Sequence, residues 1–309
     1  MKYLKYIFMA LTVAFVATSC DKRDPDFNAE HVSSDKAEVQ VFLMTPVQNV
    51  SANYVHAVIL NDDVHANNGS ALLNPYNGAP GGTTGAYWTV PAGNTRVRLQ
   101  RATPRTERIL DWQKPVLDDG TENGKDTTYY DYETIYDKVV TGLEGGKKYF
   151  VFVYDFDKAP MAIDQLEPPT QTSTNTAEYA AVRFINFMWE NPTTPYAGKV
   201  QLRMQDATTK EYINTCDPIG FGEATEWFMP SVIKTSFNSG GSQRRDLDVA
   251  VVNEAGEVGE RMLYTNSKGN KVGFTDYWTL SIGRGYVWIL YGTRDVTVQP
   301  VAIRQWTLR

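Results

Sequence analysis

Two stretches far apart in this chain are versions of one another. Residues 143–154 read Leu-Glu-Gly-Gly-Lys-Lys-Tyr-Phe-Val-Phe-Val-Tyr, and residues 280–291 read Leu-Ser-Ile-Gly-Arg-Gly-Tyr-Val-Trp-Ile-Leu-Tyr. Leu143 answers Leu280, Gly146 answers Gly283, Lys147 answers Arg284, Tyr149 answers Tyr286 and Tyr154 answers Tyr291. Two more blocks keep the same order. Residues 37–44 (Ala-Glu-Val-Gln-Val-Phe-Leu-Met) lie over 180–187 (Ala-Ala-Val-Arg-Phe-Ile-Asn-Phe), and residues 87–91 (Tyr-Trp-Thr-Val-Pro) lie more loosely over 226–230 (Glu-Trp-Phe-Met-Pro). A repeat of this kind fixes the architecture before any single residue is interpreted. It predicts two homologous modules, at 37–165 and 178–309. The segment 166–177 between them is rich in Pro, Thr and Asn and is expected to be a semi-extended linker.

Each module reads as a run of strands. In residues 94–101 basic and apolar residues alternate, so Val97 and Leu99 should face inward while Arg96, Arg98 and Arg101 face outward. Residues 244–252 are expected to do the same in the second module. The runs 150–154 and 287–291 are apolar without alternation, which suits strands covered on both faces. Pro91-Ala-Gly-Asn94 is a turn, since Pro presets φ and Gly permits a positive one. Short strands broken by such turns point to an all-β fold of two tandem immunoglobulin-like β-sandwiches. The first module carries an insertion at about 103–138.

The Val-Pro-Ala-Gly turn at 90–93, the strand after it, the Leu-Glu-Gly-Gly-Lys-Lys-Tyr block and the Val182-Arg-Phe-Ile-Asn186 opening resemble the bacterial domain-of-unknown-function family numbered 4397. The second module departs from it, with Met229-Pro-Ser-Val232 in place of the Pro-Ala-Gly turn. The resemblance implies immunoglobulin-like sandwiches in an exported protein, often in tandem, and carries no activity with it.

The first residues give an address. Lys2 and Lys5 precede an uncharged apolar run from Ile7 to Ala17, followed by small residues and Cys20. This is the grammar of a signal peptide, and the run falls short of the roughly 20 residues a bilayer span needs. Ala17-Thr-Ser-Cys20 resembles the lipobox of bacterial lipoproteins, with Ala17 where Leu or Val is usual. The resemblance implies cleavage after residue 19 and lipid on Cys20. The acidic stretch Asp21-Lys-Arg-Asp-Pro-Asp26 that follows resembles surface-export signals of some Gram-negative lineages, so an outer-membrane lipoprotein at the cell surface or the periplasmic face is expected. Residues 20–36 are polar and charged, so a disordered tether is expected. Loss of Lys2 and Lys5 with the leader removes two positive charges and takes the formal net charge from −6 to −8. An acidic chain argues against a nucleic-acid partner. The chain has two cysteines, and with Cys20 lipidated Cys216 has no partner for an intrachain disulfide.

Catalytic chemistry finds little support. The three histidines, His31, His56 and His65, accompany no Gly-x-Ser-x-Gly element. No cofactor is implied. The stretch Asp119, Thr121, Asn123 has oxygen ligands at alternate positions, as an EF-hand loop begins, but Tyr130 stands where the closing Glu should be. An acidic turn is the simpler reading, and no metal is assigned. The insertion ends in a tyrosine- and acid-rich segment in which Tyr130, Tyr132 and Tyr136 are expected to share one strand face. Such a face suits a sugar, whose C–H surfaces stack on rings while acids accept its hydroxyls, but it also suits an edge strand packing on its sheet. Three functions compete. The foremost is a non-enzymatic surface module for binding, adhesion or assembly, held to the membrane through lipid on Cys20, with a glycan or another surface protein as partner. The second is a glycan-binding accessory lipoprotein of a polysaccharide-uptake system. A hydrolase is disfavoured.

Overall fold

The computed structural model describes residues 32–308, apart from 67–68, 79–86, 170–178, 207, 233–240, 296 and 298. The leader, Cys20, the tether as far as His31 and most of the linker therefore lie outside the described residues. Among those described, the first half runs through β1 (Lys36–Leu43), β2 (Ala57–Leu60), β3 (Asp63–Ala66), β4 (Asn77–Gly78), β5 (Trp88–Pro91), β6 (Gly93–Leu110), β7 (Gly124–Leu143), β8 (Lys148–Val153) and β9 (Met161–Asp164). The second half continues with β10 (Ala181–Asn191), β11 (Thr194–Pro195), β12 (Lys199–Gln205), β13 (Tyr212–Asn214), β14 (Ser242–Val252), β15 (Val258–Arg261), β16 (Leu263–Thr265), β17 (Lys271–Gly273), β18 (Thr275–Ser281), β19 (Gly285–Thr293) and β20 (Ala302–Leu308). The fold is all-β, as the sequence implies.

Each half pairs an outer sheet with an inner one. The outer sheet of the first half has the order β3-β2-β6-β7 and the inner sheet β4-β1-β8-β9, with β5 also on β1. In the second half the inner sheet is β11-β10-β19-β20 and the outer sheet β13-β12-β14-β15, with β18 on β14. Both inner sheets are built on a parallel pair in otherwise antiparallel surroundings. Glu38 faces Lys148 across β1 and β8, and Ala181 faces Gly285 across β10 and β19. These positions correspond in the two sequence blocks, and both pairs keep the same register. The turn before the second strand of each pair is shared as well. Gly146 (φ 80°) and Gly283 (φ 73°) both adopt the left-handed region, where a Cβ would be strained. The Tyr149 hydroxyl accepts the Glu144 N–H at 3.0 Å, and the Tyr286 hydroxyl accepts the Ser281 N–H at 3.0 Å. Each ring thereby ties its strand to the chain five residues upstream, a tyrosine corner.

The loosest block of the repeat carries a shift of one residue. Val39 lies opposite Trp88, whereas its counterpart Val182 bridges Phe228 rather than Trp227. A slip of one residue exchanges the faces of a strand. Trp88 accordingly joins the first core and stacks on His65, with ring centres 4.9 Å apart, while Trp227 turns to the other side and Phe228 takes the inward place.

The apolar runs without alternation explain how the halves are joined. On β1, Val39, Val41 and Leu43 enter the first core, while Phe42 points the other way; on β8, Val151 and Val153 face inward and Phe150 and Phe152 outward. In the second half, Val182 and Phe184 of β10 and Trp288 and Leu290 of β19 fill the second core, while Ile185, Phe187, Val287 and Ile289 face outward. The outward sets meet in a third, largely aromatic core. Phe152 approaches Phe187 with ring centres 4.4 Å apart, and Trp306 stands edge-on to Phe42 at 5.0 Å. The layers thus run outer sheet, inner sheet, inner sheet, outer sheet. Residues Ser33–Arg309 form one compact unit. Arg183, 6% exposed, reinforces the junction: its Nε donates to Thr225 O at 2.8 Å and its Nη1 to Asp164 O of β9. Burial holds this guanidinium below its ordinary pKa, and the two carbonyl partners offset part of the cost of burying it.

Strand β14 departs from the expected simple alternation. Leu247 and Val249 face inward as expected, but Arg245 is also buried and donates to Ser231 O. Asp248 is fully buried between Arg203, bound at 2.7 and 2.8 Å, and Arg261 at 2.9 Å.

Candidate functional site: a projecting ribbon

The most distinctive element is what the insertion forms. β6 pairs with β2 only from Val97 to Gln100, but continues beside β7 as far as Leu110 opposite Gly124. The separation occurs at His56. Its N–H donates to Gln100 O at 2.8 Å, and its Nδ1 accepts the Ala102 N–H at 3.2 Å. Burial first, and the Arg101 charge second, hold the His56 pKa below its usual value, so the neutral, accepting imidazole is favoured. Beyond that point Pro104 lacks an N–H, which suits a strand with one open edge. The inward residues also change character. Val97 and Leu99 are buried, but from Thr103 to Leu110 both faces of β6 are exposed.

The ribbon is laced by charge. Arg105 pairs with Asp131 at 3.3 Å and with Glu107, while Arg108 meets Asp126 at 3.1 Å and donates to Glu122 O at 3.0 Å. The Arg105 guanidinium also lies 5.7 Å from the centre of the Tyr129 ring across the pair. These exposed pairs each contribute about 0–1 kcal/mol; their number fixes the register more than any one fixes the stability.

The three tyrosines do not share a face. Leu99 pairs with Tyr136 and Gln100 with Thr134, so Ile135 is an extra residue in β7. A bulge of this kind re-aims the strand. Tyr136, 2% exposed, points into the first core and donates its hydroxyl to Lys158 O at 3.0 Å. Burial raises its phenol pKa far above the usual range. Tyr130 and Tyr132 remain open, at 37% and 39% exposure. The Tyr130 ring lies so close over Gly69 (φ 80°) that a Cβ there would sit 2.1 Å from it.

The acidic stretch forms the ribbon's turn. Asp119 Oδ1 accepts both the Thr121 N–H at 2.9 Å and the Thr121 hydroxyl at 2.7 Å, and the Asn123 amide donates to Lys114 O at 2.9 Å. The Thr121 hydroxyl first, and the Thr121 backbone amide second, hold the Asp119 carboxyl below its ordinary pKa. Among the described residues no three His, Cys, Asp or Glu side chains gather as a metal site. Beside this polar turn the tip exposes Ile109, Leu110, Trp112, Val116 and Leu117, with Trp112 at 86%. Sequence reasoning passed over Trp112. Its signal was a large aromatic residue in a stretch otherwise made of Asp, Lys, Gln and Pro.

The remaining candidates are placed by their packing. His65 stacks on Trp88. Cys216 is half-buried beside the second core, and burial pushes its thiol up to about 11, which suits a small apolar side chain better than a nucleophile. Among the described residues no helix is long and apolar enough to cross a membrane.

Three solved structures show weak similarity. A leucine-rich repeat protein from Bacteroides thetaiotaomicron is 12% identical with a TM-score of 0.20; the match covers 86% of this chain but 26% of that one. A candidate cell adhesion protein from Bacteroides eggerthii is 10% identical with a TM-score of 0.21, covering 91% of this chain and 99% of that one. A candidate cell adhesion protein from Bacteroides uniformis is 9% identical with a TM-score of 0.22, covering 87% and 96%. No family model matches the chain, and no curated protein does.

Proposed function

We propose that this protein is a non-enzymatic surface module for binding, adhesion or assembly, anchored to the outer membrane by lipid on Cys20. In this reading two modules, at 37–165 and 178–309 and related to the family numbered 4397, form a rigid block that presents the β6–β7 ribbon. The observation that carries it is the ribbon itself. Its tip holds Trp112 at 86% exposure beside four more open aliphatic side chains, and an exposed apolar group of that kind marks an interaction surface. The lipobox and tether supply the attachment.

Protease treatment of intact cells, followed by antibody detection of the second half, tests the reading. Digestion without lysis is the expected result. Protection until the outer membrane is opened would assign the protein to the periplasmic face and remove adhesion from consideration.

A glycan-binding role keeps one supporting observation, the open pair Tyr130 and Tyr132 on one ribbon face. Replacing both with Ala should abolish polysaccharide binding with the fold intact; unchanged binding ends that alternative.

A further inference from the structure

Away from the ribbon, exposed large apolar residues among those described, such as Val64 and Ile213, are far apart in sequence, and scattered ones are ordinary. The ribbon tip is different, and the arrangement of its side chains says what could cover it. Ile109 and Leu110 are consecutive in β6, so they leave opposite faces of the ribbon, and both are exposed, at 46% and 40%. Val116 and Leu117 are likewise consecutive and both open, at 50% and 40%. Trp112 projects from the turn between these pairs. A flat protein partner would cover one face and leave the other wet. A lipid layer surrounds what enters it.

The backbone of the tip is prepared for such a medium. Asp111 N–H donates to Asn123 O at 2.7 Å, Leu117 N–H to Thr121 O at 2.7 Å and Asn123 N–H to Pro115 O at 2.8 Å. The Asp111 carboxylate accepts the N–H groups of Gln113 and Lys114, as Asp119 accepts that of Thr121. Backbone groups entering an apolar layer need partners within the protein, and these have them.

The charges limit both depth and lipid type. Lys114 pairs with Asp118 at 2.7 Å, and Asp111 and Asp119 are engaged in the turn. Ionised groups this near the apolar residues keep insertion shallow. Between Ile109 and Lys125, acids (Asp111, Asp118, Asp119, Glu122) outnumber bases (Lys114, Lys125), so an anionic surface would repel the tip.

We propose that the ribbon tip inserts into the headgroup–acyl boundary of a zwitterionic lipid layer, with Trp112 at the interface. Indole rings favour that depth, where one edge is apolar and the other wet. The inference rests on the ribbon being the presented element.

The full chain is mixed with phosphatidylcholine vesicles whose acyl chains carry bromine, a contact quencher of indole fluorescence. The share due to Trp112 is the difference between the parent and Trp112→Phe, which keeps the apolar bulk. Lipid binding through the N-terminal segment is common to both chains and cancels. The expected result is loss of about half or more of the Trp112 share, as for an indole held at the interface. Added anionic lipid should not increase the loss, and Leu110→Asp with Leu117→Asp should remove it. Equal quenching of parent and Trp112→Phe overturns the proposal, as does quenching seen only with anionic lipid. So does a dimer formed without lipid and lost in Trp112→Asp, which would make a second copy the partner. Protease access on cells does not enter these outcomes, so failure here leaves the surface reading to stand or fall by its own test.

Discussion

Both halves make an excursion between the same two strands, and they fold it in opposite ways. In the first half β6 stays with β7 to the end, and the excursion leaves the body as a ribbon. In the second half β14 stays with β18 from Ser242 opposite Ser281 to Asp248 opposite Thr275, and then turns to β15. That excursion folds back. Met262 and Phe274 enter the second core, and the Tyr264 ring packs edge-on to Phe274 at 5.7 Å. The difference does not lie in apolar content, since both excursions have it. It lies in placement. The folded-back excursion puts apolar residues beside its own sheet, with Arg261 bound to the buried Asp248. The ribbon fills its first turns with Arg, Asp, Glu and Tyr and keeps its aliphatic residues for the far end.

The largest expected effect tests that contrast directly. Phe274→Ala should cost about 3–5 kcal/mol, while Trp112→Ala should stay within about 0.5 kcal/mol; urea unfolding of both decides, and similar losses would break the comparison. Asp248→Ala should follow. It leaves Arg203, 17% exposed at its side chain, without its carboxylate, at a cost of about 3 kcal/mol. Removing Asp126 from the ribbon should cost at most about 1 kcal/mol. A third pair probes what the halves share. Tyr149→Phe and Tyr286→Phe should each lose about 1 kcal/mol, the value of one hydrogen bond, and unequal losses would show that the two corners are not equivalent.

The smallest effect is pH dependence at the ribbon's base. The folded pKa of His56 lies below its unfolded value of about 6.5, so the unfolded chain binds the proton more readily. This contribution to stability is present above pH ~6.5 and lost as pH falls through the folded pKa. Urea midpoints measured from neutral to mildly acid pH should decline less in His56→Gln than in the parent.

Much of this architecture was legible in the sequence. The repeat named Tyr149 and Tyr286 as equivalent, and the structure gives them the same hydrogen bond. The unbroken apolar runs announced strands buried on both faces, though not that each half would cover the other. Two features were hidden for one reason: a single residue out of step. The extra Ile135 in β7 separates Tyr136 from Tyr130 and Tyr132, and the slip at β5 sends Trp88 and Trp227 to different cores. Periodicity shows which residues alternate, but a bulge depends on pairing across strands that a single strand's pattern does not contain. The buried Asp248 was hidden similarly, because its two arginines come from β12 and β15. The sequence predicts an insertion with a tyrosine face at its end; the exposed apolar residues of the tip, Trp112 first among them, stand in a stretch whose charge and turn residues conceal them.

The parallel bonding of β1 beside β8 has a mechanical side. β1 is the first strand of the compact unit, held by β8 along one edge and by β5 and β4 along the other. A pull on the chain ahead of Lys36, directed along the strand, drags β1 lengthwise past all these neighbours. The ladder is then loaded in shear, its bonds straining together, where a pull across the strand would open them singly from one end. Phe42 deepens the hold, because it is lodged against Trp306 of the far half, so β1 could slide only by disturbing both halves at once. A strand placed in this way makes the N-terminal end of the block a strong point of attachment, fit to carry tension.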